Sequence, residues 1–220
     1  MASAEEMFDV YDEEGRPIGQ ATRREAHGRG LWHHTFHCWL VRRGEDGRAY
    51  VLFQRRSAGK DTNPGRFDIT VAGHLSAGET VRDAAREMEE EIGWSVPFEQ
   101  LVPYGTVREE MTGEVRSIPF IDRELSHVFG CLTAKPLSSF RLQAEEVAGI
   151  YEADAEELIA LMRGERASVE ARGYRLAGEE GRLVPDAAQA AAEDFVPRDR
   201  SYYVGIFRFL RDLAVSESAR

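Results

Sequence analysis

Three glutamates, Glu87, Glu90 and Glu91, stand at i, i+3 and i+4 in a stretch that opens at Thr80 and closes at Gly93. A helix advances by about 100° per residue, so the three carboxylates share one face. Like charges held that close repel one another. Water screens the repulsion on a solvated face, whereas Mg²⁺ or Mn²⁺ turns it into binding energy. Hard cations select carboxylate oxygens, and Mg²⁺ is often held by a few of them together with substrate phosphates. A Gly-rich loop from Gly73 through Gly78-Glu79 precedes the helix, and Arg86 stands beside the first glutamate. An ordinary solvated helix face requires neither.

The elements around this stretch follow from pattern and punctuation. Thr80 caps the helix predicted over Thr80–Ile92, Asp83 completes a capping box, and Gly93 stops it. Val81, Ala84, Ala85, Met88 and Ile92 form a neighbouring apolar stripe that anchors the helix to a sheet. Phe8–Tyr11 and Pro17–Gln20 flank a turn and read as a hairpin; Thr35–Arg42, Tyr50–Gln54 and Asp68–Ala72 read as strands. Asn63-Pro64-Gly65 marks a loop within Asp61–Arg66. Further strands are expected at Leu101–Val107, Ser117–Ile121, His127–Thr133 and Val147–Tyr151, and helices at Ala155–Met162 and Tyr202–Leu213. The polar stretch from Gly164 to Pro197 carries no pattern that assigns it. The fold class is therefore α+β, a mixed sheet with helices on both faces. Residues 1–163 are expected to form one domain that includes the N-terminal hairpin, with 164–220 a C-terminal extension packed on it.

Composition narrows the function. With 28 Lys and Arg against 39 Asp and Glu, the net charge of −11 gives no general affinity for nucleic acid or anionic lipid. A phosphate substrate would need bound cations or a local basic pocket. Two cysteines, Cys38 and Cys131, are too few for a disulfide scaffold in 220 residues and read as reduced thiols of a cytoplasmic protein. The start is polar and acidic rather than a signal peptide. No apolar run approaches the roughly 20 residues of a membrane span.

The stretch from Gly73 to Trp94 resembles the signature of the Nudix hydrolase superfamily. That signature is Gly, five residues, Glu, seven residues, then Arg-Glu-aliphatic-any-Glu-Glu-any-Gly-aliphatic. Here Gly73 is followed after five residues by Glu79, and Arg86-Glu87-Met88-Glu89-Glu90-Glu91-Ile92-Gly93 keeps the register of the acidic core. Six residues instead of seven separate Glu79 from Arg86, and Trp94 takes the aliphatic position. The resemblance implies an α/β/α sandwich in which Glu87, Glu90 and Glu91 hold a divalent metal beneath a diphosphate. It also implies that Arg86 orients the glutamates, that Gly73 lends its carbonyl to the metal, and that one carboxylate deprotonates the attacking water. Metal would lower the pKa of that water from 15.7 towards about 7 and neutralise the phosphates.

Shorter pieces over roughly the first 130 residues resemble one branch of the superfamily, the metal-dependent isopentenyl-diphosphate isomerases and their hydrolase relatives. They are Asp12–Ile18, Glu25-Ala26-His27, Leu31–Trp39, and Gln54-Arg55-Arg56-Ser57 through Lys60 to Pro64-Gly65. By this resemblance Arg56 and Lys60 contact the distal phosphate. The branch's metal site of three histidines and two acids falls on His27, His33, His74, Asp122 and Glu124, with His74 at the substrate pocket and Glu124 a further metal ligand or base. His34, His37 and His127 read as packed or surface side chains. The isomerase also needs a cysteine just before its Gly-His pair, and Ala72 stands there, with no ionisable group for acid–base chemistry. The expected activity is thus a Mg²⁺- or Mn²⁺-dependent hydrolase acting on a small-molecule diphosphate such as a nucleoside diphosphate derivative. An isopentenyl-diphosphate isomerase is the alternative, which Ala72 disfavours, and the intact acidic helix argues against a non-catalytic binder. The segment from Gly164 to Arg220 is expected to cover the pocket or to form a homodimer contact.

Overall fold

The structure, a computed structural model, describes residues 5–115, 118–178 and 181–216. In chain order the elements are β1 (Met7–Tyr11), β2 (Pro17–Thr22), α1 (Arg23–Arg29), β3 (Trp32–Arg43), β4 (Ala49–Arg56), β5 (Phe67–Asp68), β6 (Val71–His74) and α2 (Glu87–Ile92). Then come β7 (Val102–Val115), β8 (Ile118–Leu132), β9 (Val147–Asp154), α3 (Ala155–Met162), β10 (Val169–Ala177), β11 (Arg182–Ala190) and α4 (Arg200–Ser216). Strands with a few helices make this the expected α+β class. The strand registers given below are antiparallel, and a parallel bridge joins Phe67 to Phe195. Among the described residues no helix is long and apolar enough to cross a membrane.

The chain folds into two compact units. The first is drawn from Met1–His37, Ala72–Glu87 and Gly105–Val128, the second from Cys38–Val71, Met88–Tyr104 and Phe129–Arg220.

In the first unit, β1 and β2 form the expected hairpin, with Met7 opposite Thr22 and Asp9 opposite Gln20. Asp12 closes the turn by accepting from the backbone N–H groups of Glu14 and Arg16 at 3.0 and 2.9 Å. Helix α1 has no counterpart in the sequence pattern, because Ala26 is its only buried residue. Its start is made by a capping box instead: the Glu25 N–H donates to Thr22 Oγ1, and the Thr22 N–H donates to the Glu25 carboxylate. Phe8, Val10, Ala21 and Ala26 form a small apolar core here, with Leu31 packed against it.

The two strands expected at Ser117–Ile121 and His127–Thr133 are one strand, β8, described from Ile118 onward; Ser117 lies outside the described residues. The intervening stretch carries its period-two alternation on Asp122, Glu124 and Ser126, which a search for alternating apolar residues passes over.

In the second unit, β4 pairs with the end of β3 through Leu40–Leu52 and Arg43–Ala49, and β9 lies on its other side with Phe53 opposite Tyr151. The unassigned stretch after Gly164 contains a long hairpin, Val169 facing Ala190 and Ala177 facing Arg182, and β10 also pairs with β9. Its alternation was hidden because most of its side chains are only half-buried or exposed. Helix α3 has the expected bounds. The predicted terminal helix is α4, whose Tyr203, Ile206, Phe207 and Leu210 are buried. Trp39 meets Tyr203 and Phe207 edge-on and donates its indole N–H to Tyr202 Oη at 3.0 Å.

Candidate functional site

The acidic stretch begins as the sequence suggests. The Thr80 N–H and hydroxyl donate to Asp83 Oδ2 at 2.9 and 2.6 Å, and the Asp83 N–H returns a bond to Thr80 Oγ1. The first turn that follows is a 3₁₀ turn, Asp83–Arg86, and only Glu87–Ile92 is α-helical, so the expected single helix is split. Gly93 ends it at φ +63°, where its N–H donates to the Glu89 carbonyl at 3.0 Å.

Arg86 is gripped on both sides. Its Nε and one terminal nitrogen donate to Glu79 at 2.9 and 3.0 Å, and the other terminal nitrogen donates to Glu87 Oε1 at 2.5 Å. Burial pushes the Glu79 carboxyl up, but the Arg86 bonds and the Ser76 N–H outweigh it and hold the group below its ordinary value. The hydrogen bonds to Glu79 raise the Arg86 guanidinium in turn, so it stays charged. A planar, always-charged fork held this way fixes the Glu87 carboxylate.

Gly73 faces the same group. A Cβ built there would lie 2.3 Å from Glu87 Cδ and 2.6 Å from Oε1, so only glycine lets this carboxylate lie against the backbone. Glu91, farther along the helix, is 4% exposed and accepts from Gln54 Nε2 at 3.2 Å. Glu90 is exposed and lines a cavity of about 490 Å³ with Gly93, Arg141 and Gln143. Gly73, Glu79, Arg86 and Glu87 thus form one contact group, while Glu90 and Glu91 follow on the same helix in different surroundings.

The cations expected to meet phosphate are engaged with carboxylates. Arg56 donates to Asp68 Oδ2 at 2.9 Å and to the Thr62 carbonyl, and Asp68 also accepts from Arg198 at 2.6 Å. Lys60 is paired with Glu146.

A second convergence lies wholly in the first unit. Helix α1 supplies His27, β3 His33, the end of β6 His74, and β8 Asp122 and Glu124. One nitrogen from each of the three imidazoles lies within 4.8 Å of the others. Asp122 Oδ1 is 3.4 Å from His27 Nε2 and 3.5 Å from His33 Nε2, and Glu124 Oε1 is 3.8 Å from His74 Nε2. Phe8 stacks on His33 and His74 at 4.9 and 4.8 Å, which fixes both ring planes. His33 Nδ1 lies 3.0 Å from the Leu31 carbonyl. A carbonyl only accepts, so Nδ1 carries the hydrogen and Nε2 presents a lone pair to the cluster. Burial, reinforced by His33 and Arg23, lowers His27 to about 4, and burial lowers His33 despite the opposing charge of Glu124. Both rings are therefore neutral at pH 7, the form in which imidazole binds a metal.

Two residues that the motifs did not single out as ligands adjoin this cluster. His37 is buried, with Nε2 3.7 Å from Glu124 Oε2, and Glu109 comes from β7. The available signal was the period of two: His33, Thr35 and His37 share one face of β3, as Asp122, Glu124 and Ser126 share one face of β8. His34 and His127, read as packed or surface side chains, are half-buried and hydrogen-bond each other at 2.8 Å.

Comparison with known proteins agrees with the signature. The NUDIX domain family model matches residues 31–172. An uncharacterized Nudix hydrolase of Clostridium acetobutylicum is 36% identical over 208 residues, covering 94% of this chain and 98% of its own. Nudix hydrolase 3 of Arabidopsis thaliana is 37% identical over 161 residues, 70% of this chain but 20% of that longer protein. A crystal structure from Deinococcus radiodurans at 19% identity superposes with a TM-score of 0.52 over 72% of this chain and 90% of its own, a likeness of fold. The family match takes in the whole acidic helix, and the bacterial relative aligns along nearly the full chain: this protein belongs to the NUDIX domain family and is a hydrolase.

Proposed function

We propose that this hydrolase cleaves the diphosphate linkage of a small molecule, such as a nucleoside diphosphate derivative, with Mg²⁺ or Mn²⁺ bound by Glu87, Glu90 and Glu91 of α2 and the Gly73 carbonyl. The observation that carries this reading is the opening at Gly73, which a single Cβ would fill and over which Glu87 lies, held by Arg86. The donor set is all oxygen, as hard cations require. Bound there, the ion would neutralise the phosphates and make water acidic enough to lose a proton near neutral pH. Arg86 orients Glu87, and Glu79 orients Arg86. Either Glu87 or Glu90 takes the proton of the attacking water. Arg56 and Lys60 contribute to substrate binding by exchanging their present carboxylate partners for phosphate oxygens, beside His74 at the substrate pocket. Glu124 is a further metal ligand.

The test is phosphate release across a panel of nucleoside diphosphates, nucleotide sugars, dinucleotides and prenyl diphosphates, with and without divalent metal. Turnover should require Mg²⁺ or Mn²⁺, vanish with a chelator and return on adding metal back. It should be lost in the protein carrying Glu90→Gln and Glu91→Gln while its circular dichroism is unchanged. Full activity of that variant refutes the assignment, as would deuterium exchange into isopentenyl diphosphate with no release of phosphate.

A further inference from the structure

The histidine-rich cluster of the first unit contains more ligands than one ion needs, and they sort into two groups. In the first, His27, His33 and His74 converge with Asp122. In the second, His37, Glu109 and Glu124 each bring one ligand atom within 4.8 Å of the others. Glu124 faces both groups, with Oε1 3.8 Å from His74 Nε2 and Oε2 3.7 Å from His37 Nε2.

These spacings suit coordination. Ligands about 2.1 Å from a tetrahedral ion lie about 3.4 Å from one another, close to the separations found around Asp122. The buried Nε2 atoms of His27 and His33 make no hydrogen bond, although His33 is fully buried. Burying a lone pair without a partner is costly, and a cation removes that cost. The second group is braced by hydroxyls, where the first is held by the Phe8 ring and the Leu31 carbonyl. The Thr35 hydroxyl donates to Ser126 Oγ at 2.9 Å, and Thr35 Oγ1 and Ser126 Oγ lie 3.5 Å from carboxylate oxygens of Glu124 and Glu109 respectively. Such hydroxyls orient ligands from behind.

We propose that this cluster is a dinuclear metal centre, in which His37 and Glu109 hold a second ion beside the one held by His27, His33, His74 and Asp122, and Glu124 bridges the two. The resemblance to the isomerase branch implies only the first ion. The second ion and the bridge rest on the alternation of His33 with His37 and of Asp122 with Glu124 on adjacent strands. Imidazole-rich sites with carboxylates take Zn²⁺, Mn²⁺, Fe²⁺ or Co²⁺, in contrast with the all-oxygen ligands of α2. Two-metal sites place their ions about 3.5–4 Å apart, a span one carboxylate bridges.

The experiment counts Co²⁺ bound to the full chain after chelator treatment and desalting, in millimolar Mg²⁺ so that oxygen-only ligands are already filled. Two Co²⁺ per chain are expected, falling to one in His37→Ala and in Glu109→Gln, with loss of about half of the visible d–d absorption. The double variant Glu90→Gln/Glu91→Gln should still bind two, which separates this inference from the hydrolase reading. One Co²⁺ or none in the unaltered protein overturns the proposal and needs no variant to fold. Two Co²⁺ that persist in both His37→Ala and Glu109→Gln overturn it as well. The bridge is read separately by Mn²⁺ electron paramagnetic resonance: a spin-coupled, broadened spectrum is expected, and two additive six-line signals would overturn the shared Glu124.

Discussion

Gly73 and Arg86 act on one carboxylate from opposite sides, and each supports a prediction at the scale of a single residue. A methyl group at Gly73 meets Glu87 Cδ at 2.3 Å, and that carboxylate has to move. A shift of about 1 Å in a catalytic group costs about 100-fold in rate. Gly73→Ala should therefore lower kcat for phosphate release by about 100-fold while the thermal midpoint moves little. Arg86→Lys should act similarly, because an ammonium cannot replace the fork that spans Glu79 and Glu87. Glu79 stands one residue out of the family spacing, yet it accepts two hydrogen bonds from Arg86. The position was legible in the motif. Its partner was not, because the pairing depends on how the loop from Ser76 to Thr80 turns.

At the scale of elements, Asp68 ties β4, β5 and the segment before α4 together through Arg56 and Arg198. Burial pushes the Asp68 carboxyl up, but the two guanidiniums outweigh it and bring it to about 2. The unfolded chain, with a carboxyl near about 3.9, holds the proton more tightly than the folded one. The pair therefore contributes its full stabilisation above about pH 4, and the contribution is lost as pH falls through about 2. The expected loss is about 2–3 kcal/mol in that window. Urea unfolding at pH 7, 4, 3 and 2 should show it, and Asp68→Asn should flatten the profile. The same variant should cost about 3–5 kcal/mol at pH 7, since it takes the buried anion away from two half-buried cations. Gly93→Ala is a second element-scale change. At φ +63°, with Arg141 Cβ 2.7 Å from the added atom, it should lower stability by about 1–2 kcal/mol in the same assay.

For the molecule as a whole, the C-terminal segment is part of the second unit's core. Tyr203, Ile206, Phe207 and Leu210 of α4 are buried, and each contributes about 1.5–3 kcal/mol, together comparable to the whole stability of a domain. A chain ending at Arg163 should show no cooperative unfolding transition by calorimetry. A folded, active truncation would overturn this prediction. The signals carried by neighbours in sequence were readable directly: the capping box at Thr80, the stop at Gly93, the Glu spacing on α2 and the bounds of α3. Each depends on atoms a few residues apart, and helix geometry relates those without further information. The convergence of His27, His33, His74, Asp122 and Glu124 is of another kind. These side chains come from four separate elements, and spacing says nothing about whether such distant residues meet; the resemblance supplied the set, and the packing of β3 beside β8 brought it together. The inclusion of His37 and Glu109 was decided there too, because a polar residue on a strand reads as solvent-facing until its neighbour across the sheet is known.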